Sequence, residues 1–109
     1  MSFFSQLFGG GRPDNTQQVR AALSAGARIV DVRSEHEFAG QHVPGAINIP
    51  HTDIGNQLAK VGRKDVPVIV YCRSGGRSAS AARVLSSNGY TQVIDVGAMS
   101  NFPMGALET

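Results

Sequence analysis

The chain has 109 residues, the length of a single domain. Hydrophobic residues make up 41% of it and charged residues 17%, a composition that excludes a disordered chain kept open by its charge. The net charge of +2 is too small a surplus to predict nucleic-acid binding.

The chain contains one cysteine, Cys72, so an internal disulfide and a cluster of thiolate metal ligands are both excluded. Its histidines lack the spacing of metal-ligand pairs, and we expect no metal and no cofactor. No apolar run approaches the ~20 residues that span a bilayer. A lone thiol fits a reducing compartment, so we expect a cytoplasmic protein without a membrane span.

The first segment, residues 1–11, carries several large apolar side chains and ends in three consecutive glycines. Chain termini with little to pack against are commonly loose, and we expect a flexible N-terminal tail here. The remaining residues, 12–109, are expected to form one domain.

Beyond the tail, the apolar pattern alternates between helical and strand spacing. In chain order, the pattern first predicts a helix capped by Asp14 or Asn15 that ends near Gly26, a strand at 29–32, a short helical turn with capping-box spacing at 34–37 and a strand at 46–49. It then predicts a helix capped by Thr52, a strand at 67–71, a helix at about 78–87 with Ser78 as a cap and Gly89 beyond its end, and a strand at 93–96. The strands are mostly apolar runs, which is typical of buried parallel strands. We therefore predict an α/β domain with a central parallel sheet of about five strands and helices on both faces.

Ligands of parallel α/β sheets bind beyond the carboxyl ends of the strands, and this rule selects the segment after the strand at 67–71. That segment comprises Cys72, Arg73, Ser74, Gly75, Gly76, Arg77 and Ser78. The paired glycines allow the backbone to curl so that successive N–H groups surround an anion, and the following helix adds its N-terminal dipole. We expect residues 73–78 to bind an anionic substrate.

The same surroundings favour ionisation of the thiol. Helix N-termini and nearby arginines lower a cysteine pKa from about 8.5 to ~3.5–7.5, which makes the thiolate abundant at neutral pH. We therefore predict that Cys72 is a catalytic nucleophile. The alternative is an inert buried thiol at the end of a strand.

The segment from Cys72 to Ser78 resembles the active-site loop of the rhodanese superfamily. Upstream, Asp31-Val32-Arg33 and Glu37-Phe38 are similar to the first signature of that family, and residues 40–50 are similar to its continuation. The resemblance covers about residues 14–105. The sequence departs from the pattern near its end, where Gly97 stands alone and no tryptophan follows.

This resemblance implies a rhodanese-like sulfurtransferase with a parallel sheet between two layers of helices. It implies that Cys72 takes a sulfane sulfur from a small anionic donor, such as thiosulfate, and holds it as a persulfide. A thiophilic acceptor, either cyanide, a thiol or a protein, then removes the sulfur. Arg73 and Arg77 would attract and orient the donor.

Two other interpretations stay open at the level of sequence. A Cys-dependent phosphatase or arsenate reductase has a related loop, but with one residue more between cysteine and arginine than the four found here. A shorter loop forms a tighter ring, which suits a single sulfur better than a phosphoryl group. A persulfide carrier or partner-docking module without enzymatic turnover is the second alternative. Outside the loop, we expect Arg33 to pair with Glu37 or Asp31 rather than to take part in chemistry.

Overall fold

A sheet of four parallel strands lies at the centre of the protein. The computed structural model describes residues 15–107, and in that part of the chain the sheet is formed by β1 (Arg28–Asp31), β2 (Ile47–Asn48), β3 (Val68–Cys72) and β4 (Val93–Ala98). The strand order is β2-β1-β3-β4, and each neighbouring pair is parallel. The predicted α/β class with a parallel sheet is confirmed.

The number of strands is one fewer than the predicted five. After β4 the chain does not extend again but forms two 3-10 turns, Met99–Asn101 and Met104–Leu107. Pro103 lies between these turns and supplies no backbone N–H for a strand ladder. The described part of the chain therefore ends in turns that pack beside the sheet.

Helices cover both faces of the sheet. They are α1 (Thr16–Ser24), α2 (Glu35–Gly40), α3 (Leu58–Val61) and α4 (Gly76–Ser87), with a further 3-10 turn at Ile54–Asn56. Side chains alternate across β3, so Val68, Val70 and Cys72 belong to the core beneath α4, whereas Ile69 and Tyr71 belong to the core beneath α1. All five residues of β3 are buried, which explains why its sequence is an uninterrupted apolar run.

The prediction of one continuous helix capped by Thr52 is wrong. The structure has the 3-10 turn at Ile54–Asn56 and then the single turn α3, and the two are separated by Gln57. The backbone of Gln57 has φ −125° and ψ 29°, which is not helical, and Gly55 lowers the helix propensity of the segment before it. The apolar residues Ile54 and Val61 are nevertheless buried, as their spacing indicated.

Helix α4 begins two residues before the predicted start. Gly75 occupies the position before the helix with φ +107°, and Ser78, which was expected as the cap, lies in the first turn and is buried. Gly89 follows the end of this helix with φ +93°, as its position in the sequence indicated.

The predicted tail at residues 1–11 lies outside the residues that the structure describes. Across residues 15–107, none of the helices has both the length and the apolar character needed to cross a membrane.

Candidate active site

The candidate site lies where β3 passes into α4. Only Arg73, Ser74 and Gly75 separate the last residue of the strand from the first residue of the helix. Such a tight reversal requires the positive φ of +107° at Gly75, a conformation that a side chain would make unfavourable. The loop therefore turns its backbone N–H groups towards the end of β3, where Cys72 stands.

The thiol of Cys72 is buried, with 0% exposure, and is hydrogen-bonded by the loop. The backbone N–H of Gly75 donates to Sγ over 2.9 Å. Burial raises the pKa of Cys72, but hydrogen bonds from the Ser78 hydroxyl and from the N–H groups of Ser78, Gly75 and Ser74 outweigh it, so the pKa lies below the ordinary value of a cysteine thiol. The arrangement favours a thiolate.

Ser78 has a specific part in this arrangement. Its hydroxyl lies 3.0 Å from the carbonyl oxygen of Gly75 and is also within hydrogen-bonding reach of Cys72. A hydroxyl has one proton to donate. The bond to sulfur becomes the stronger of the two once the thiol is ionised, because charge-assisted hydrogen bonds are stronger than neutral ones.

The two arginines of the loop differ in their surroundings. Arg77 forms a bidentate ion pair with Glu37 of α2, with Nη1–Oε1 at 2.8 Å and Nη2–Oε2 at 3.1 Å. Hydrogen bonds from Arg77 and then from Ser34 hold the pKa of Glu37 at about 2, below its ordinary 4.5. Arg73 is exposed and takes part in no ion pair within residues 15–107.

A third arginine, Arg33, lies beside the loop, and its guanidinium is paired with Asp31 at the end of β1. The guanidinium of Arg33 binds both carboxylate oxygens of Asp31 at 2.7–3.1 Å, and it also lies 5.7 Å from the centre of the Tyr71 ring. The hydrogen bonds to Asp31 raise the pKa of Arg33 above its ordinary value. Of the two partners predicted for Arg33, the structure selects Asp31, and the other, Glu37, binds Arg77.

Two cavities open next to each other on this side of the protein and share Met99 and Ser100. The first has a volume of about 270 Å³ and is otherwise lined by Arg33, Glu37 and Arg73. The second has a volume of about 360 Å³, and the residues that line it besides the shared pair are Gln41, His42, Val43, Phe102 and Met104. The segment after β4, where the sequence lacks the tryptophan of the resembled family, thus supplies walls of both cavities.

Sequence reasoning did not find the contact between Glu37 and Arg77, which are 40 residues apart. It placed Glu37 in the Ser34 capping box, which the structure confirms, and named it as one of two candidate partners of Arg33.

The comparisons with known proteins agree with one another. A family model described as Rhodanese-like domain matches residues 15–101. Thiosulfate sulfurtransferase PspE of Escherichia coli is 38% identical over 76 residues, which are 69% of this chain and 73% of that protein. Protein HIGH ARSENIC CONTENT 1, mitochondrial, of Arabidopsis thaliana is 42% identical over 86 residues, but the match spans only 51% of the plant protein.

Solved structures give the same result. A structure described as rhodanese with anions from E. coli is 37% identical and superposes with a TM-score of 0.68, covering 72% of this chain and 93% of that one. The similarity therefore includes the sequence as well as the fold.

Proposed function

The chain belongs to the rhodanese-like family, and from this premise we propose that it is a sulfurtransferase that works through a persulfide on Cys72. The observation that carries the proposal is the hydrogen bond of 2.9 Å from the Gly75 N–H to the buried Sγ of the chain's one cysteine. A persulfide adds one sulfur atom at this position, and the surrounding N–H groups would stabilise its negative charge.

In the first step, the thiolate of Cys72 attacks the outer sulfur of the donor. With thiosulfate, the bond between the two donor sulfurs breaks, its electron pair leaves with sulfite, and a Cys72 persulfide forms without any external oxidant or reductant. The N–H groups of residues 73–78 stabilise the negative sulfur, as an oxyanion hole stabilises developing charge. The hydroxyl of Ser78 contributes the same kind of support.

In the second step, an acceptor attacks the outer sulfur of the persulfide. Cyanide would leave as thiocyanate, and a thiolate would leave as a new persulfide. In both cases the electron pair of the broken sulfur–sulfur bond returns to Cys72 as the thiolate. The enzyme is then ready for another donor.

The remaining loop residues are proposed to bind the donor. Arg73 supplies an exposed positive charge at the mouth of the site, and Ser74, Gly75 and Gly76 supply N–H groups. Arg77 lies in the first turn of the helix whose N-terminal end faces the sulfur, and its side chain is paired with Glu37. We propose a reducing compartment such as the cytoplasm, because the mechanism needs a free thiolate.

Two kinds of comparison support the assignment. PspE is named a thiosulfate sulfurtransferase, and the chain covers 73% of its length. The similar solved structure is described as rhodanese with anions, which agrees with an anion-binding loop. Because the chain spans about half of the plant relative, the activity of that whole protein is not carried over.

The experiment is a transfer assay with thiosulfate and cyanide on the wild type and on Cys72→Ser. We expect the variant to lose transfer completely and to unfold at the same denaturant concentration, because serine fills nearly the same volume. Transfer that survives in Cys72→Ser would contradict the proposal.

Parallel assays address the two alternatives from the sequence. Hydrolysis of an aryl phosphate or reduction of arsenate, together with absence of sulfur transfer, would assign the loop to oxyanion chemistry. A persulfide that forms on Cys72 but is never turned over with cyanide or thiols would favour a carrier.

A further inference from the structure

The charges around the thiol are nearly balanced, although three arginines stand nearby. Arg33 is neutralised by Asp31 at 2.7 Å, and Arg77 is neutralised by Glu37 at 2.8 Å. Within residues 15–107, Arg73 is the arginine of the site without an acidic partner. Once Cys72 is ionised, its negative charge offsets that remaining positive charge.

This balance bears on which donor the site accepts. Thiosulfate is a dianion. When it approaches the Cys72 thiolate, it would meet one guanidinium without an acidic partner, that of Arg73. An organic persulfide, RS–S⁻, carries a single charge on its terminal sulfur. Because interactions between charges scale with their product, the cancellation of Arg77 by Glu37 penalises the dianion more than the monoanion.

The cavities indicate the same preference. The cavity that Arg73 and Glu37 line shares the walls Met99 and Ser100 with the second cavity of about 360 Å³. That second space is walled by Val43 and Phe102, which are buried, and by Met104, which is 50% exposed. Thiosulfate has no group to place there, whereas the organic part of a persulfide would cover this apolar wall.

We propose that the preferred sulfur donor is an organic persulfide, and that Glu37 is the residue that disfavours thiosulfate, by pairing with Arg77. The inference rests on the proposed sulfurtransferase function. The transfer is balanced: the Cys72 thiolate attacks the outer sulfur of RS–S⁻, RS⁻ leaves with the electron pair of the broken bond, and the transferred sulfur keeps its negative charge. No oxidant or reductant is consumed.

The test measures kcat and KM for two donors, thiosulfate and hydroxyethyl persulfide, in the wild type and in Glu37→Gln. Glutamine also closes a capping box, so the variant keeps the start of α2. We expect the KM for thiosulfate to fall by about threefold to tenfold as Arg77 is released, and the KM for hydroxyethyl persulfide to change by less than about twofold. In an Arg77→Ala background, Glu37→Gln should produce no such gain.

Glu35→Gln is the matched control, because it removes the same charge from the first turn of the same helix. The KM values for both donors should stay at the wild-type level in this variant. The inference is overturned if Glu37→Gln leaves the KM for thiosulfate unchanged, if both donors gain equally, or if Glu35→Gln has the same effect.

A measurement on the wild type alone keeps the inference testable if Glu37→Gln does not fold. With the site charges balanced, kcat/KM for thiosulfate should change little with ionic strength, whereas a steep fall with salt would contradict the inference. These outcomes differ from a failure of the proposed function, in which neither donor transfers sulfur to Cys72 at all.

Discussion

Two ion pairs flank the candidate active site, and they differ in depth. In the pair of Arg33 and Asp31, the side chains are 7% and 0% exposed, whereas in the pair of Arg77 and Glu37 they are 30% and 21% exposed. The first lies at the carboxyl end of β1, and the second joins two helices and is partly exposed. The comparison indicates that the buried pair of Arg33 and Asp31 stabilises the fold next to the site. The partly exposed pair of Arg77 and Glu37 changes the net charge at the site.

The deeper pair is part of a larger network. The backbone N–H of Arg33 donates to the Asp31 carboxylate at 2.9 Å, and the side-chain amide of Asn48 donates to the carbonyl oxygens of both residues at 3.0 Å. These bonds fix the ends of β1 and β2 next to each other. Removing one member would leave buried polar groups without partners, which is the costly case.

The largest expected effect is a difference in protein stability between variants that break the two ion pairs. Arg33→Ala leaves the carboxylate of Asp31 buried and unpaired, and we expect a loss of about 3–5 kcal/mol in the free energy of unfolding. Arg77→Ala breaks a partly exposed pair, and we expect a loss of at most about 1 kcal/mol. Urea unfolding of both variants gives the two values.

Arg63→Ala is the control for this comparison, because it breaks a surface pair whose side chains are 78% and 62% exposed. It should leave stability unchanged. Equal losses for Arg33→Ala and Arg77→Ala would show that the depth of the pairs does not separate their roles.

The next effect concerns the thiol rather than the fold. Ser78→Ala removes the hydroxyl that supports the ionised Cys72, and we expect the pKa of Cys72 to rise because the thiolate loses a hydrogen bond. The ultraviolet absorbance of the thiolate measures this directly, since the chain has one cysteine. Ser80→Ala, on the same helix, should not shift the pKa; a shift as large as that of Ser78→Ala would contradict the role of the hydroxyl.

The smallest effect is the pH dependence of stability that the pair of Arg77 and Glu37 confers. The pKa of Glu37 is about 2 in the folded protein against an ordinary 4.5, so its ionised form stabilises the fold above pH 4.5, and this contribution is lost as the pH falls towards 2. The stability difference between wild type and Glu37→Gln should therefore shrink across that window. Urea unfolding at several pH values tests this, and a constant difference would contradict it.

Much of the fold follows from local sequence patterns. β3 was predictable because all its residues are buried and apolar, and the Ser34 capping box was predictable because both partners lie within one helical turn. The start of α4 was not, because Gly75 and Ser78 both suit a helix start and only the backbone turn after β3 decides between them. The break at Gln57 was not predicted either, because the apolar spacing of Ile54, Leu58 and Val61 also suits one continuous helix.

The candidate site was also only partly predictable from the sequence. The segment from Cys72 to Ser78 was found from residue types at the end of a strand, and its roles in binding stay predictions. The ion pair of Glu37 with Arg77 was not found, because nothing local to either residue encodes a contact between α2 and α4. Sequence patterns thus indicated the candidate loop but missed the contact that pairs one of its arginines with Glu37.

Mass spectrometry of the protein after exposure to thiosulfate or hydroxyethyl persulfide tests the central claim most directly. The mechanism predicts an increase of about 32 Da, one sulfur atom, on the peptide that contains Cys72, reversed by cyanide or dithiothreitol. An unmodified Cys72 after exposure to both donors would contradict the account.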